Sequence, residues 1–140
     1  MPASGGPAQQ VTHHGAHEPF ESADGRWLYF NKRIGDERLF RVPTSGNGDE
    51  QMVIRLPGLK AWTVGGNNLY LGLGAEGGAM LVERFDPVSQ KKEEIYRFPP
   101  RPLIFYTGQH SLAVSRDEHT IVTSMGMPLT VDILLVENFR

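Results

Sequence analysis

The sequence predicts an all-β fold: a half β-propeller of three four-stranded blades, completing a six-bladed propeller by dimerisation. Three observations carry this. Helical periodicity is nearly absent, since no window of about eleven residues keeps the i, i+3, i+4 apolar spacing. Short β-rich runs alternate with clusters of Gly, Pro, Asn and Asp, and 140 residues include 16 Gly and 10 Pro. One strand–turn–strand pattern also recurs three times, as ESADGRWLYFNK, WTVGGNNLYLGL and LAVSRDEHTIVTSM.

The elements follow in chain order. Residues 1–8 are a polar, flexible tail, and QQVTHH (residues 9–14) is a strand-like run with no hairpin of its own. The first blade spans residues 18–56. Its hairpin turns at Ala23-Asp24-Gly25, and RLFRVP and QMVIRL supply its third and fourth strands. The second blade spans residues 61–98, with a turn at Gly65-Gly66-Asn67-Asn68 and outer strands AMLVERF and EIYRF. The third spans residues 110–140, turns at Arg116-Asp117-Glu118, and has DILLVENF as its last strand. Gly, Asn and Asp suit these turns because they tolerate positive φ or bond their own backbone. The second strands recur at intervals of roughly 40–50 residues, the period of a propeller blade.

The third unit lacks a fourth strand, and residues 9–14 are the spare one. In a half-ring these ends lie on opposite sides of the axis. The expectation is therefore a reciprocal exchange in a two-fold homodimer, with residues 9–14 of one copy completing the third blade of the other. Apolar faces of the first and last blades, open to water in a monomer, would be covered in the ring. Consecutive apolar residues at Trp27, Tyr29 and Phe30, at Leu69-Tyr70-Leu71 and at Ile121-Val122 predict strands buried on both faces.

PFESADGRWLYF and VDILLVENFR resemble the TolB-type, WD40-like (PD40-repeat) bacterial propellers, whose repeat carries a near-Ser-Pro-Asp-Gly-Lys turn before an aromatic strand. Ser22-Ala23-Asp24-Gly25-Arg26 matches with Ala for Pro. Ser115-Arg116-Asp117-Glu118-His119 keeps Ser and Asp but loses Gly, and Gly65-Gly66-Asn67-Asn68 keeps turn character alone. The resemblance covers about residues 9–140 and implies a propeller without catalysis of its own. The last run resembles the ends of propellers fused to winged-helix regulators or kinases. Family members usually carry six or more blades, and this chain has three.

Composition bounds the function classes. Apolar residues make up 39% and charged residues 21%, too apolar for a disordered chain. A formal net charge of −2 argues against a nucleic-acid surface. There is no cysteine, hence no disulfide and no thiol chemistry. No apolar run reaches the length of about 20 residues that spans a bilayer, so no membrane partner is expected. MPASGGPAQQ has neither the basic nor the apolar region of a signal peptide. A cytoplasmic location follows if Met1 is the natural start; related propellers are often periplasmic.

Residues of catalytic type find structural explanations. His13, His14 and His17 are close enough in sequence to suggest a divalent metal, but they lie at a strand–loop junction that does not align ligands. No metal or cofactor is expected. Asp24 and Asp117 read as turn residues. Ser22, Ser111, Ser115 and Ser124 lack a G-x-S-x-G elbow. GLGAEGGA lacks the Lys-Ser/Thr of a phosphate loop. Alternating strand direction gathers residues 13–18, 32–37, 57–60, 72–78, 99–109 and 125–129 on one rim as loops. The binding candidates there are His17, Lys60, Arg101, Phe105, Tyr106 and His110, with Arg101, Phe105 and Tyr106 supplying hot-spot chemistry. The leading expectation is a non-catalytic propeller scaffold that binds a protein or peptide. The alternatives are the sensor half of a bacterial regulator or kinase without its effector domain, and a propeller-channel hydrolase or lyase.

Overall fold

A computed structural model describes residues 5–98, 111–127 and 130–137, with side chains throughout except at 125–132. The described residues form three antiparallel sheets. The first contains β1 (His17–Glu21), β2 (Trp27–Asn31), β3 (Arg38–Pro43) and β4 (Gln51–Arg55), in that order. The second contains β5 (Leu59–Gly65), β6 (Asn68–Gly74), β7 (Met80–Phe85) and β8 (Lys92–Phe98). The third contains β9 (Leu112–Val114), β10 (Thr120–Met127) and β11 (Thr130–Glu137). Successive strands neighbour each other within every sheet, and β5 packs beside β1 and β9. The first strands of all three sheets therefore stand together, a partial propeller-like arrangement.

The second sheet is the middle of the stack. Trp62, Leu69, Leu71, Leu73 and Phe85 face the first sheet and pack against Tyr29 and Leu39. Ala61, Tyr70, Met80, Val82 and Phe98 face the third and meet Leu112 and Ile121. Leu69, Tyr70 and Leu71 are all fully buried, as their unbroken apolarity predicts. Each such side chain contributes roughly 1.5–3 kcal/mol by leaving water.

Two polar links tie the sheets together. The Trp62 indole N–H donates to Asn31 Oδ1 at 2.5 Å, between the first and second sheets. Asn31 Nδ2 in turn donates to the carbonyls of Asp36 at 2.9 Å and Arg38 at 3.0 Å. On the other side, Glu118 Oε2 accepts from the Tyr70 hydroxyl at 2.6 Å and from Asn68 Nδ2 at 3.2 Å. Burial, and then the Glu118 carboxylate, push the Tyr70 phenol well above its ordinary value. Gly66 turns the β5–β6 hairpin at φ +53°, and a Cβ there would collide with Glu118.

Residues 9–14 are not a strand. They form a strap on their own first sheet instead. Gln9 Nε2 donates to the Ser45 carbonyl at 2.9 Å, and the His13 N–H donates to Glu50 Oε1 at 3.0 Å. His14 Nδ1 lies 3.5 Å from the same carboxylate. Glu50 also pairs with Lys32, whose ammonium stands 5.4 Å over the Phe30 ring and 4.9 Å over the Phe40 ring. Burial opposes ionisation of Glu50. Hydrogen bonds from Lys32 and the His13 N–H outweigh it and hold the carboxyl below its ordinary value. These anchors run along the face turned away from the second sheet, where Phe30 and Val42 are fully buried. The segment is fixed by side chain–backbone bonds rather than a ladder, so it stays irregular.

Two further expectations change accordingly. The far face of the first sheet is only partly open to water: Phe30 and Val42 are buried, while Met52, the register partner of Phe40, is 60% exposed. The third sheet has three strands among the described residues, and it does carry the open face. Val122 is 37% exposed rather than buried, beside Ile133 at 77% and Leu135 at 58%. Ala113, the register partner of Val122, is exposed too.

Replacing Asn31 with Ala leaves the Trp62 N–H without its acceptor in a dry interface. The expected loss is about 2 kcal/mol of unfolding free energy. Urea denaturation should show a lower midpoint at constant slope; an unmoved midpoint would mean the link is dispensable.

Candidate functional site

The rim that carries the β2–β3 loop and the β4–β5 connection holds a 380 Å³ concavity. Its lining is Arg33, Gly35, Asp36, Glu37, Arg38 and Arg55. The β2–β3 loop (residues 32–37) is shaped from both sides. The Asp36 N–H donates to the Arg33 carbonyl at 3.1 Å, closing the turn, while Asn31 holds the Asp36 carbonyl from below. Asp36 is buried and receives a two-pronged bond from Arg38: Nε to Oδ1 at 2.8 Å and Nη2 to Oδ2 at 2.9 Å. That fork holds the Asp36 carboxyl below its ordinary range against the opposing effect of burial, and raises the Arg38 guanidinium reciprocally.

Glu37 is committed as well. Its Oε1 accepts the Gly58 N–H at 2.9 Å, and its carbonyl accepts the Leu56 N–H at 2.7 Å. These bonds fold the β4–β5 connection against the β2–β3 loop. Gly58 sits at φ +83°, where a Cβ would come within 2.8 Å of the Gly74 carbonyl oxygen. Arg38 and Arg55 are direct register partners across β3 and β4. Among the described residues, Arg33 and Arg55 have no salt-bridge partner.

A notch of about 20 Å³ adjoins the concavity and shares Gly35 and Asp36 with it. Glu18, Asn31, Leu59, Lys60 and Trp62 complete its lining. On the opposite rim, a 360 Å³ concavity is lined by Asn68, Arg84, Asp86, Ser89, Lys91 and Glu93. Its charges serve one another: Arg84 pairs with Glu93 at 2.5 Å, and Asp86 closes the β7–β8 turn through Ser89 and the Val88 N–H.

Of the residues singled out in the sequence, Lys60 lines the notch, but from within β5 rather than from a loop. His17 opens β1 opposite Asn31 and does not line the notch. Met125 likewise belongs to β10, which continues to Met127. Arg101, Phe105, Tyr106 and His110 lie outside the described residues. The arginines of the concavity went unnoticed because their proximity depends on the β3–β4 register. The visible signal was the density of charge in KRIGDER, followed by Arg55 at the end of the next strand.

The serine–aspartate pairs form matching turns. Ser22 Oγ donates to Asp24 at 2.6 Å and accepts the Trp27 N–H at 3.0 Å. Ser115 Oγ donates to Asp117 at 2.5 Å and accepts the Thr120 N–H at 3.0 Å. Each aspartate also accepts an N–H two residues on, from Arg26 or His119. The Ser22 hydroxyl, then the Arg26 N–H and side chain, bring the Asp24 carboxyl from 3.8 to about 2. Among the described residues no three His, Asp or Glu side chains converge as a metal site, and no helix is long and apolar enough to cross a membrane.

No protein-family model and no curated protein sequence matches the chain. A crystal structure from Bacteroides fragilis NCTC 9343, provisionally described as a 6-phosphogluconolactonase, superposes with a TM-score of 0.47 and 8% identity. The match covers 91% of this chain and 39% of that one.

Because Asp24 is more acidic folded than free, its stabilising effect is complete above pH 3.8 and is lost as pH falls through about 2. Asp24→Ala should therefore lower the Tm by several degrees at neutral pH. The difference from the parent should vanish near pH 2 in a thermal melt series. A constant difference across that window would show that the carboxylate's charge is irrelevant to the turn.

Proposed function

We propose that the chain is a non-catalytic propeller-type binding and scaffold module, working as a homodimer that presents its rims to a protein or peptide partner. The three sheets are read as propeller blades, and the matching turns at Ser22–Trp27 and Ser115–Thr120 support a TolB-type repeat. The observation carrying the assembly is the asymmetry of the two outer sheet faces. The first carries the strap and exposes Met52, whereas the third exposes Ala113, Val122, Ile133 and Leu135. An apolar face of that kind marks an interaction surface.

A second copy is the occupant we infer, with third sheet meeting third sheet across a two-fold axis. Pleated apolar faces pack best on other sheet faces, about 10 Å apart, as the three sheets of this chain already do. Two identical faces also close the assembly and leave no further surface to propagate. Completing a six-bladed ring would instead place the partner's third sheet on the first, which requires the strap to give up its bonds to Ser45 and Glu50. That arrangement costs contacts the two-fold contact retains.

Light scattering at micromolar concentration should give twice the chain mass, falling to the monomer mass for an Ile133→Glu, Leu135→Glu double variant with an unchanged circular dichroism spectrum. The native chain has no cysteine, so Val122→Cys, Ile133→Cys or Leu135→Cys introduces a single thiol. At least one should form a disulfide with its own counterpart across the axis. A parent protein that is monomeric at those concentrations would overturn the dimer.

A further inference from the structure

We propose that the concavity of Arg33, Arg38 and Arg55 is a binding site for a phosphate group. This rests on the charge of the rim and is independent of the dimer.

The first observation is an imbalance. Both acidic groups in the lining are hydrogen-bonded within the fold, and three arginines against two carboxylates leave one positive charge in excess. Asp36 gives both oxygens to Arg38, and Glu37 gives Oε1 to the Gly58 N–H. Arg33 and Arg55 remain exposed and without a salt bridge among the described residues. In the opposite concavity, by contrast, Arg84 is paired with Glu93.

The second observation is the placement of Arg38 and Arg55. Direct partners on neighbouring antiparallel strands share a face, and like charges set opposite each other destabilise the pair. Arg38 is held in place by Asp36 and by the Phe40 ring, 5.6 Å from its guanidinium carbon. It therefore cannot simply swing away. Asp36 offsets the charge of Arg38, Arg55 has no salt bridge among the described residues, and a bound anion would pair with it.

The third observation is access. Gly35, at φ +71°, has no heavy atom within 4 Å of where a Cβ would lie, so the tip of the loop is open. An incoming group can approach the backbone there between Arg33 and Arg38.

Phosphate fits better than carboxylate on two grounds. Arg33 and Arg55 have no salt bridge among the described residues, and phosphate near pH 7.5 carries more negative charge than a carboxylate to meet the one excess positive charge of the lining. Its tetrahedral oxygens can accept forked N–H pairs from different directions, matching arginines that come from a loop and two strands. The phosphate could belong to a small molecule or to a phosphorylated side chain, and the experiment separates these.

Arginine Nε–H resonances of the whole protein would be followed during titration with inorganic phosphate, with sodium acetate, and with a short phosphoserine peptide, at matched ionic strength. Saturable shifts at Arg33 and Arg55 with phosphate, and at least tenfold weaker binding of acetate, are expected. Arg33→Gln with Arg55→Gln should weaken phosphate binding about tenfold or more, and Arg55→Lys should show an intermediate loss. Arg116→Gln, in the β9–β10 turn, should bind as the parent does. Unchanged resonances elsewhere would establish that each variant is folded. Tighter binding of the peptide than of phosphate assigns the site to a phosphorylated partner, and equal binding assigns it to small phosphates. Linear, non-saturating shifts, or equal affinity for acetate, or no loss in the double variant, would each overturn the site.

Discussion

The hydrogen bond from Trp62 to Asn31 is the constraint on which the rest of the molecule turns. An indole N–H in the dry space between two sheets needs an acceptor, since leaving it unpaired costs about 1–3 kcal/mol. Asn31 provides it from the last position of β2. Because an amide carries donors as well, the same side chain reaches the carbonyls of Asp36 and Arg38. One buried residue thus joins the first sheet to the second and fixes the start of β3. The β2–β3 loop inherits its shape from the core, and the loop places Arg33 and Asp36 at the rim. Packing and rim chemistry are in this way a single network: Trp62 lines the notch next to the concavity while its ring fills the interior.

Much of this was legible in the sequence, for definite reasons. Strand positions could be read because β6 is apolar on both faces and its neighbours alternate. Ser22 and Asp24, like Ser115 and Asp117, stood out because a side-chain oxygen capping an N–H two residues ahead is a local interaction, written in adjacent residues. What could not be read depends on distance along the chain. Residues 9–14 carry β-prone Val11 and Thr12, yet their fate is decided by Ser45 and Glu50, more than thirty positions away. Lys60 looked like a loop residue because Pro57 and Gly58 precede it, whereas β5 begins at Leu59. Arg38 and Arg55 become neighbours only through the β3–β4 register, which includes an irregularity between Leu39 and Phe40 that sequence spacing does not reveal.

The two rims show how one composition can be spent in two ways. With a net charge of −2 the chain has no overall electrostatic preference for anions. On the rim with the β7–β8 turn, Arg84 is balanced by Glu93, and Lys92 lies 3.5 Å from Glu83. Exposed pairs of this kind contribute little to stability but do neutralise the surface. On the other rim the carboxylates are turned inward to do structural work, Asp36 on Arg38 and Glu37 on the Gly58 N–H. The lining there holds three arginines and two carboxylates, a local excess of one positive charge in a chain of net charge −2. Global charge misses it because the sign of a patch depends on which residues the fold gathers there.

The strap explains why the two ends of the stack are not equivalent. Phe30 and Phe40 stack at 6.0 Å on the outer face of the first sheet, and Lys32 lies over both rings with its charge met by Glu50. Glu50 then accepts the His13 N–H, so the cation over the aromatic pair and the anchor of the covering segment depend on one carboxylate. The third sheet has no comparable device among the described residues. Val122, Ile133 and Leu135 stand on its outer face without an aromatic platform, a cation or a covering segment to shield them. A stack of sheets that closes one end with its own chain and leaves the other apolar has a direction. At the strapped end one carboxylate, Glu50, serves both the Lys32 cation over the aromatic pair and the His13 N–H that anchors the strap, so the two features stand or fall together.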